Sequence, residues 1–187
     1  MPEHYVGAHM KRLEDPPLLS GNGRYVADIH LEGALHLALL RSTCAHGRVT
    51  AIDATAARTV QGVVEVLTHN DISEIMQEFP QLFRLPVEHP VHPTPLAREK
   101  VHYVGEPVAC VVAQSRYAAE DALEHIIVEY DQLSPVLDLE RALDPDAPVI
   151  HGKLDSNLCT VIRQDHGDYQ AAAAMADRVL RTRLKIK

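Results

Sequence analysis

Apolar residues along this chain fall into short runs separated by polar or proline-containing segments. Six of these runs have the length of β-strands, and they cover residues 35–41, 49–52, 63–67, 101–104, 108–113 and 127–130. Gly105 lies between two of the runs and predicts a turn there. The pattern therefore predicts a set of short strands, and the chain contains no internal repeat.

Helix-initiating residues stand between the strand runs. Asp71 completes a capping box with Thr68, and Gly62 ends the first predicted helix. The alanine-rich third helix is expected to pack closely on a sheet. One predicted helix covers 54–60 after Asp53, and a second is capped by Thr68 and has apolar positions at 72, 75 and 76. A third is capped by Ser115 and has its apolar positions between 118 and 126, and a fourth is capped by Asp168 and runs through 171–176, with a helical turn at 137–143. Because strands and helices alternate irregularly, we predict an α+β fold with mixed sheets and short packed helices.

Two segments lack a regular pattern. Residues 1–24 are polar and contain Pro16, Pro17 and a Gly-Asn-Gly sequence at 21–23, which predicts a loop or an arm. Five prolines between Phe79 and Pro95 exclude regular helix and central strand. We therefore predict an extended segment at 79–95.

The sequence from Leu180 to Lys187 alternates strictly, with apolar or neutral residues on one side and basic residues on the other. This alternation predicts a strand. One interpretation is an edge strand whose charges prevent aggregation. The other is an element that continues in another polypeptide, because an apolar strand face needs a partner layer.

Charge and composition narrow the functional classes. The 187 residues include 18 Lys and Arg against 26 Asp and Glu, a net charge of −8, which argues against binding to nucleic acid or to an anionic membrane. No apolar run approaches the ~18 residues needed to span a bilayer. The start lacks a secretory signal, and the cysteines at 44, 110 and 159 are too widely spaced for an iron–sulfur or four-thiolate zinc site. We expect a cytoplasmic protein.

Candidate chemistry is sparse. His89 and His92, with Glu88, could contribute to a metal site, as could Cys44 with His46, but no further ligand is indicated at either place. The Gly-Asn-Gly sequence at 21–23 begins like a dinucleotide-binding loop, although Val26 replaces the third glycine and no strand precedes it. From the residues alone we predict a globular domain with no catalytic, cofactor-binding or metal-binding residues of its own.

Several sequence blocks, in order, resemble a known family over nearly the whole chain. The blocks are 12–15 (RLED), 19–29 (LSGNGRYVADI), 41–49 (RSTCAHGRV), 62–68 (GVVEVLT), 100–109 (KVHYVGEPVA) and 128–130 (VEY). They are similar to the N-terminal region of the large subunit of molybdenum hydroxylases, the group of xanthine dehydrogenase, aldehyde oxidase and aerobic carbon monoxide dehydrogenase. Thr43 and Cys44 depart from the family pattern.

The resemblance implies an α/β hammerhead domain at 25–145, preceded by the arm at 1–24 and followed at 146–187 by the start of the next, molybdenum-binding domain. It implies that the assembled enzyme uses molybdopterin, iron–sulfur clusters and often FAD. The molybdenum site and the catalytic base would lie beyond this chain. The implied partners are the remaining large-subunit polypeptide and iron–sulfur or flavin subunits.

The resulting hypothesis is an N-terminal scaffold portion of such a large subunit, which needs a second polypeptide for activity. Its candidate interface residues are Arg41, His46, Tyr103, Glu106 and the segment 79–95. The alternatives are a stand-alone interaction or assembly module, and a degenerate remnant without a redox role.

Overall fold

The computed structural model describes residues 6–76, 78–79, 91–164 and 166–184. The chain divides into two compact units. The first comprises Met1–Met76 and Pro95–Leu133, and the second comprises Gln77–Thr94 and Ser134–Lys187. Both three-stranded sheets belong to the first unit.

The first sheet places its most apolar strand in the centre. Its strands are β1 (His36–Arg41), β3 (Val63–Thr68) and β5 (Pro107–Ala113), in the order β1-β5-β3. Leu39 of β1 and Leu67 of β3 both lie opposite Cys110 of β5. The central strand is nearly continuous in apolar residues because neighbours flank it on both edges and side chains cover both of its faces.

The second sheet contains β2 (Gly47–Asp53), β4 (Lys100–Val101) and β6 (Ile127–Gln132), in the order β4-β2-β6. A register shift between Val49 and Ala51 interrupts the β2–β6 ladder. All strand pairs in the described residues are antiparallel. The α+β class is confirmed, and the sheets contain one strand orientation where we predicted mixed sheets.

The longest helix covers one face of the first sheet. It is α3 (Arg116–Leu123), and the Ser115 hydroxyl accepts a hydrogen bond from the Ala118 N–H, as the sequence predicts for a cap. Ala119 and Ala122 are fully buried against Val66 and Val111 of the sheet. Small side chains let the helix approach closely, and this layer forms the main core of the first unit.

The remaining helices are short. They are α1 (Asp15–Leu19), α2 (His69–Ile72) and α4 (Tyr169–Met175), with single 3-10 turns at Val26–Asp28, Ala57–Thr59 and Arg141–Leu143. Asp168 caps α4 as predicted, through an acceptor bond from the Ala171 N–H. None of the helices in the described ranges combines the length and the apolar character needed to cross a membrane.

Three local predictions are wrong. Residues 15–19 form α1 within the predicted loop, because prolines fit the first turn of a helix, where backbone N–H groups have no helical partner. The segment 54–60 forms only the Ala57–Thr59 turn, because nucleation is unfavourable in so short a segment. Likewise, only Arg141–Leu143 of the predicted turn at 137–143 is helical.

Two predicted strands are also shorter or absent. The run 101–104 pairs only through Val101, because the His102 N–H donates to the Glu106 carboxylate instead of a neighbouring strand. Residues 180–184 are not in a strand, since no ladder in the described residues supplies their backbone with a partner. Arg183 instead forms an ion pair with Glu140 at 3.0 Å.

The second unit is held by polar contacts rather than by a core. The Asn157 amide donates to the carbonyls of Ala142 and Pro148 and accepts from the Ile150 N–H, at 2.9–3.0 Å. None of the described residues from 134 to 184 is buried.

Candidate functional site

Two loops at one end of the central strand β5 are joined to each other by several hydrogen bonds. One is the β1–β2 connection, residues 42–46, and the other is the 102–106 turn between β4 and β5. We call them the paired loops. They contain three of the candidate interface residues predicted from sequence, His46, Tyr103 and Glu106, and they adjoin the fourth, Arg41.

Backbone hydrogen bonds join the paired loops directly. The Ser42 N–H donates to the Glu106 carbonyl, and the Gly105 N–H donates to the Ser42 carbonyl, both at 2.8 Å. The Arg41 guanidinium Nη1 donates to the Gly105 carbonyl at 2.9 Å. Gly105 has a φ of +97°, a conformation that glycine adopts without the steric cost of a side chain. The turn predicted at this glycine is confirmed.

The Glu106 side chain closes the 102–106 turn from inside. Its carboxylate accepts from the His102 backbone N–H and lies 3.2 Å from the His102 Nδ1. The His102 ring stacks on the buried His46 ring, with centroids 6.2 Å apart and planes at 27°. The pair of loops is therefore connected through side chains as well as through backbone.

The β1–β2 connection is equally constrained. The Ser42 hydroxyl accepts from the Cys44 N–H and donates to the Cys44 carbonyl, and the Cys44 thiol donates to the His46 carbonyl. A Cβ on Gly47 would lie 2.9 Å from the Cys44 Sγ and 3.0 Å from the Asp131 carbonyl oxygen. Glycine is required here because the neighbouring strand leaves no room for a methyl group.

The tip of the 102–106 turn faces solvent. Tyr103 is 54% exposed and Val104 is 63% exposed, although the backbone that carries them is tightly bonded. Arg41 is also exposed beside them. The arrangement presents two largely apolar side chains next to a cation, which is suited to contact with another protein.

Three of the predicted metal candidates, Cys44, His46 and His92, lie among the described residues. Glu88 and His89 lie outside the described residues, and the His92 Nδ1 is 3.3 Å from the Phe79 carbonyl oxygen. Across the described ranges, no group of three or more His, Cys, Asp or Glu side chains could hold a metal ion. The absence of catalytic, cofactor-binding and metal-binding residues remains a prediction.

Other surface features do not suggest a reaction. A cavity of about 320 Å³ lies within the loop 135–148, and one of about 200 Å³ lies beside β2. Burial raises the pKa of the Cys110 thiol, which disfavours the reactive thiolate.

The Gly-Asn-Gly sequence at 21–23 follows α1 rather than a strand. The Asn22 N–H donates to the Pro17 carbonyl, which is the geometry of a turn and not of a dinucleotide-binding loop.

Sequence reasoning did not single out Ser42 or His102. An imidazole four residues before a carboxylate, as in His102 and Glu106, is a local signal that could have indicated a closed turn. The Ser42 hydroxyl bonds locally to Cys44, but no local signal indicates the bonds of its backbone, because their partners come from the distant 102–106 turn.

Comparison with known proteins gives a consistent result. Residues 20–134 match a family model described as "Aldehyde oxidase and xanthine dehydrogenase, a/b hammerhead domain". The chain is 36% identical to the nicotine 6-hydroxylase large subunit of Paenarthrobacter nicotinovorans, over 94% of this chain and 21% of that protein. It is 41% identical to the carbon monoxide dehydrogenase large chain of Hydrogenophaga pseudoflava, over 75% of this chain and 17% of that protein.

Solved structures agree. Quinoline 2-oxidoreductase from Pseudomonas putida 86 superposes with a TM-score of 0.75 at 39% identity, covering 82% of this chain and 20% of that chain. A Cu,Mo-CO dehydrogenase gives a TM-score of 0.68 at 35% identity, covering 80% and 18%. The chain thus spans about a fifth of the length of these relatives.

Proposed function

This chain belongs to the aldehyde oxidase and xanthine dehydrogenase family, and on that premise we propose that it is the N-terminal scaffold portion of a molybdenum hydroxylase large subunit. In this proposal residues 1–24 are an arm, 25–145 are the hammerhead domain, and 146–187 begin the following molybdenum-binding domain. The molybdopterin site lies on a second polypeptide, and iron–sulfur and flavin subunits complete a cytoplasmic enzyme. The chain alone carries no activity.

The observation that carries this proposal is that the described part of the second unit forms no core. Leu137, Leu139, Leu180 and Leu184 are each at least 78% exposed, and none of the described residues from 134 to 184 is buried. Covering one leucine side chain stabilises a protein by about 1.5–3 kcal/mol. Four uncovered leucines therefore represent a free energy comparable to the net stability of a domain. We infer that other protein covers this stretch.

In this proposal the first unit supports and contacts the molybdenum-bearing polypeptide and takes no part in the reaction. Its sheets and α3 form a core of their own, and its most constrained surface, the paired loops, presents side chains suited to protein contact. The hydroxylation or oxidation of a carbon centre, with oxygen derived from water, would occur on the molybdenum-bearing polypeptide. We propose no substrate.

A co-expression experiment tests the proposal. The chain is produced with and without a second polypeptide that carries the remaining large-subunit sequence, and molybdenum content and dye-linked oxidation of an aldehyde, a purine and carbon monoxide are measured. We expect co-purification and molybdenum only in the combined sample. Stoichiometric molybdenum or turnover in the chain alone would contradict the proposal.

A second candidate function is an assembly module without a redox role. The observation that favours it is the closed core of the first unit, with Val66, Val101, Val108 and Val111 fully buried. This alternative predicts a stable chain that binds a partner polypeptide without restoring turnover. The same co-expression experiment distinguishes the two, because only the scaffold proposal requires activity in the combined sample.

A further inference from the structure

We infer that Tyr103 and Val104, on the 102–106 turn, are the anchor through which the first unit docks onto the molybdopterin-binding polypeptide. The inference rests on the proposed function and names a specific contact within it. It assigns an interaction surface to a turn that the proposed function treats only as part of the scaffold.

The first argument is the exposure of two apolar side chains on a fixed backbone. Tyr103 and Val104 lie about half to two thirds in water, next to a strand whose residues Val108 and Val111 are fully buried. Apolar surface left in water forgoes about 25 cal/mol per Å². The described part of the chain is not stabilised by this exposure, whereas burial of the two side chains in an apolar pocket of a partner would stabilise the complex.

The second argument is rigidity. Three hydrogen bonds join the 102–106 turn to Arg41 and Ser42, and two more close it internally, through the Tyr103 carbonyl and the Glu106 carboxylate. Binding normally requires side chains and loops to be ordered, at about 0.5–1.5 kcal/mol for each immobilised side chain. A turn already held in one conformation avoids most of this cost, as rigid aromatic anchors do in other interfaces.

The third argument is composition. Tyrosine and arginine are enriched among residues that dominate binding energy, and they are most effective within a rim of polar groups. Here Tyr103 is flanked by the exposed Arg41, which uses one N–H on the Gly105 carbonyl, and by the partly exposed His102. The matching surface is an apolar pocket that carries an acceptor for the tyrosine hydroxyl and a carboxylate facing Arg41.

The size of the anchor indicates which partner it fits. Tyr103 can bury at most about 150–250 Å², far below the roughly 1,200–2,000 Å² of a stable interface. The anchor therefore suits a partner that also covers other surface of this chain. The uncovered stretch 134–184 requires such a partner, and relatives carry the same domain within chains about five times as long. A second copy joined through this turn alone would not meet that requirement.

The test measures binding of the full 187-residue chain to the second polypeptide by biolayer interferometry. The variants are Tyr103→Ala, Tyr103→Phe and Val104→Ser, and the matched control is Tyr117→Ala, which truncates another exposed tyrosine of the first unit on α3. We expect Tyr103→Ala to weaken binding at least about tenfold. Tyr103→Phe, which loses only the hydroxyl and leaves its acceptor unpaired, should weaken binding less than Tyr103→Ala does, and Tyr117→Ala should change it less than about twofold.

The outcomes separate this inference from the proposed function. If the wild-type chain does not bind the second polypeptide, both fail. If it binds and Tyr103→Ala binds equally well, or if Tyr117→Ala weakens binding as much, only the anchor is refuted. A wild-type homodimer that Tyr103→Ala dissociates, without effect on the second polypeptide, would assign the turn to self-association and overturn the inference. Circular dichroism of each variant shows that its fold is retained.

Discussion

The core of the first unit allows a sharp test within one strand. Val66 of β3 is fully buried beneath α3, whereas Val64 of the same strand is 51% exposed. Both can be replaced by alanine, which removes the same two methyl groups and the same β-branching. The two sites differ in burial, and Val64 also lies at the register shift of the β3–β5 ladder.

The expected loss follows from the number of carbon atoms removed. At about 0.8 kcal/mol for each buried methylene-sized group, Val66→Ala forgoes about 1.6 kcal/mol of transfer free energy. The cavity left among Ala119, Ala122 and Val111 adds to this, because a sheet and a helix cannot close fully around a missing side chain. We expect Val66→Ala to lower the free energy of unfolding by about 2–3 kcal/mol, and Val64→Ala by less than about 0.5 kcal/mol.

Urea denaturation followed by far-UV circular dichroism measures both variants against the wild-type chain. The denaturant dependence should be equal in all three, so that the shift in midpoint reports stability alone. Equal losses for Val66→Ala and Val64→Ala would refute the assignment of the α3 layer as the main core. So would a loss of less than about 1 kcal/mol for Val66→Ala.

Three further predictions concern local contacts. Asn157→Ala should speed amide exchange of Ile150 about tenfold in hydrogen-exchange measurements, because the Ile150 N–H loses its acceptor, and an unchanged rate would contradict this role of Asn157. Ser115→Ala should cost about 0.5–2 kcal/mol in thermal or urea unfolding and Ser115→Asp much less, since only alanine removes the cap of α3. Hydrogen bonds from the Thr68 hydroxyl and N–H lower the pKa of Asp71, so the ionised carboxylate stabilises the fold above its ordinary pKa of 3.8, and this contribution is lost as the pH falls through the lowered value. Thr68→Val should therefore reduce the difference between the free energies of unfolding at pH 7 and at pH 3. An unchanged difference would contradict this reasoning.

The strands and caps that carry their own local signals were predictable from sequence. The runs that became β1, β2, β3, β5 and β6 are short and apolar, and Ser115, Thr68 and Asp168 stand where their helices begin. These features depend on neighbours within a few residues, so composition and spacing are sufficient to indicate them. The family resemblance, which rests on sequence blocks in order, was equally accessible and is confirmed.

The two strand predictions that failed depend on which groups the backbone N–H groups bond to. The alternation at 180–184 satisfies the pattern of a strand, but a strand also needs a neighbour for its backbone, and no ladder of the described residues supplies one. The run 101–104 is also compatible with a strand, but the Glu106 carboxylate accepts a hydrogen bond from the His102 N–H and the chain turns there. In both cases the outcome is decided by the partners of backbone N–H groups, which the alternation of apolar and polar residues does not indicate.

The amino-acid sequence by itself determined the family, the α+β class, most strand positions and the chemistry available to the paired loops. It also named Arg41, Tyr103 and Glu106 as candidate interface residues. Only the tertiary structure decided that Glu106 closes a turn, that Arg41 and Ser42 hold this turn from a neighbouring strand end, and that Tyr103 points into water. The physical reason is that burial and hydrogen-bond partnership are properties of the folded chain, set by residues far apart in sequence, whereas propensity and capping act between neighbours.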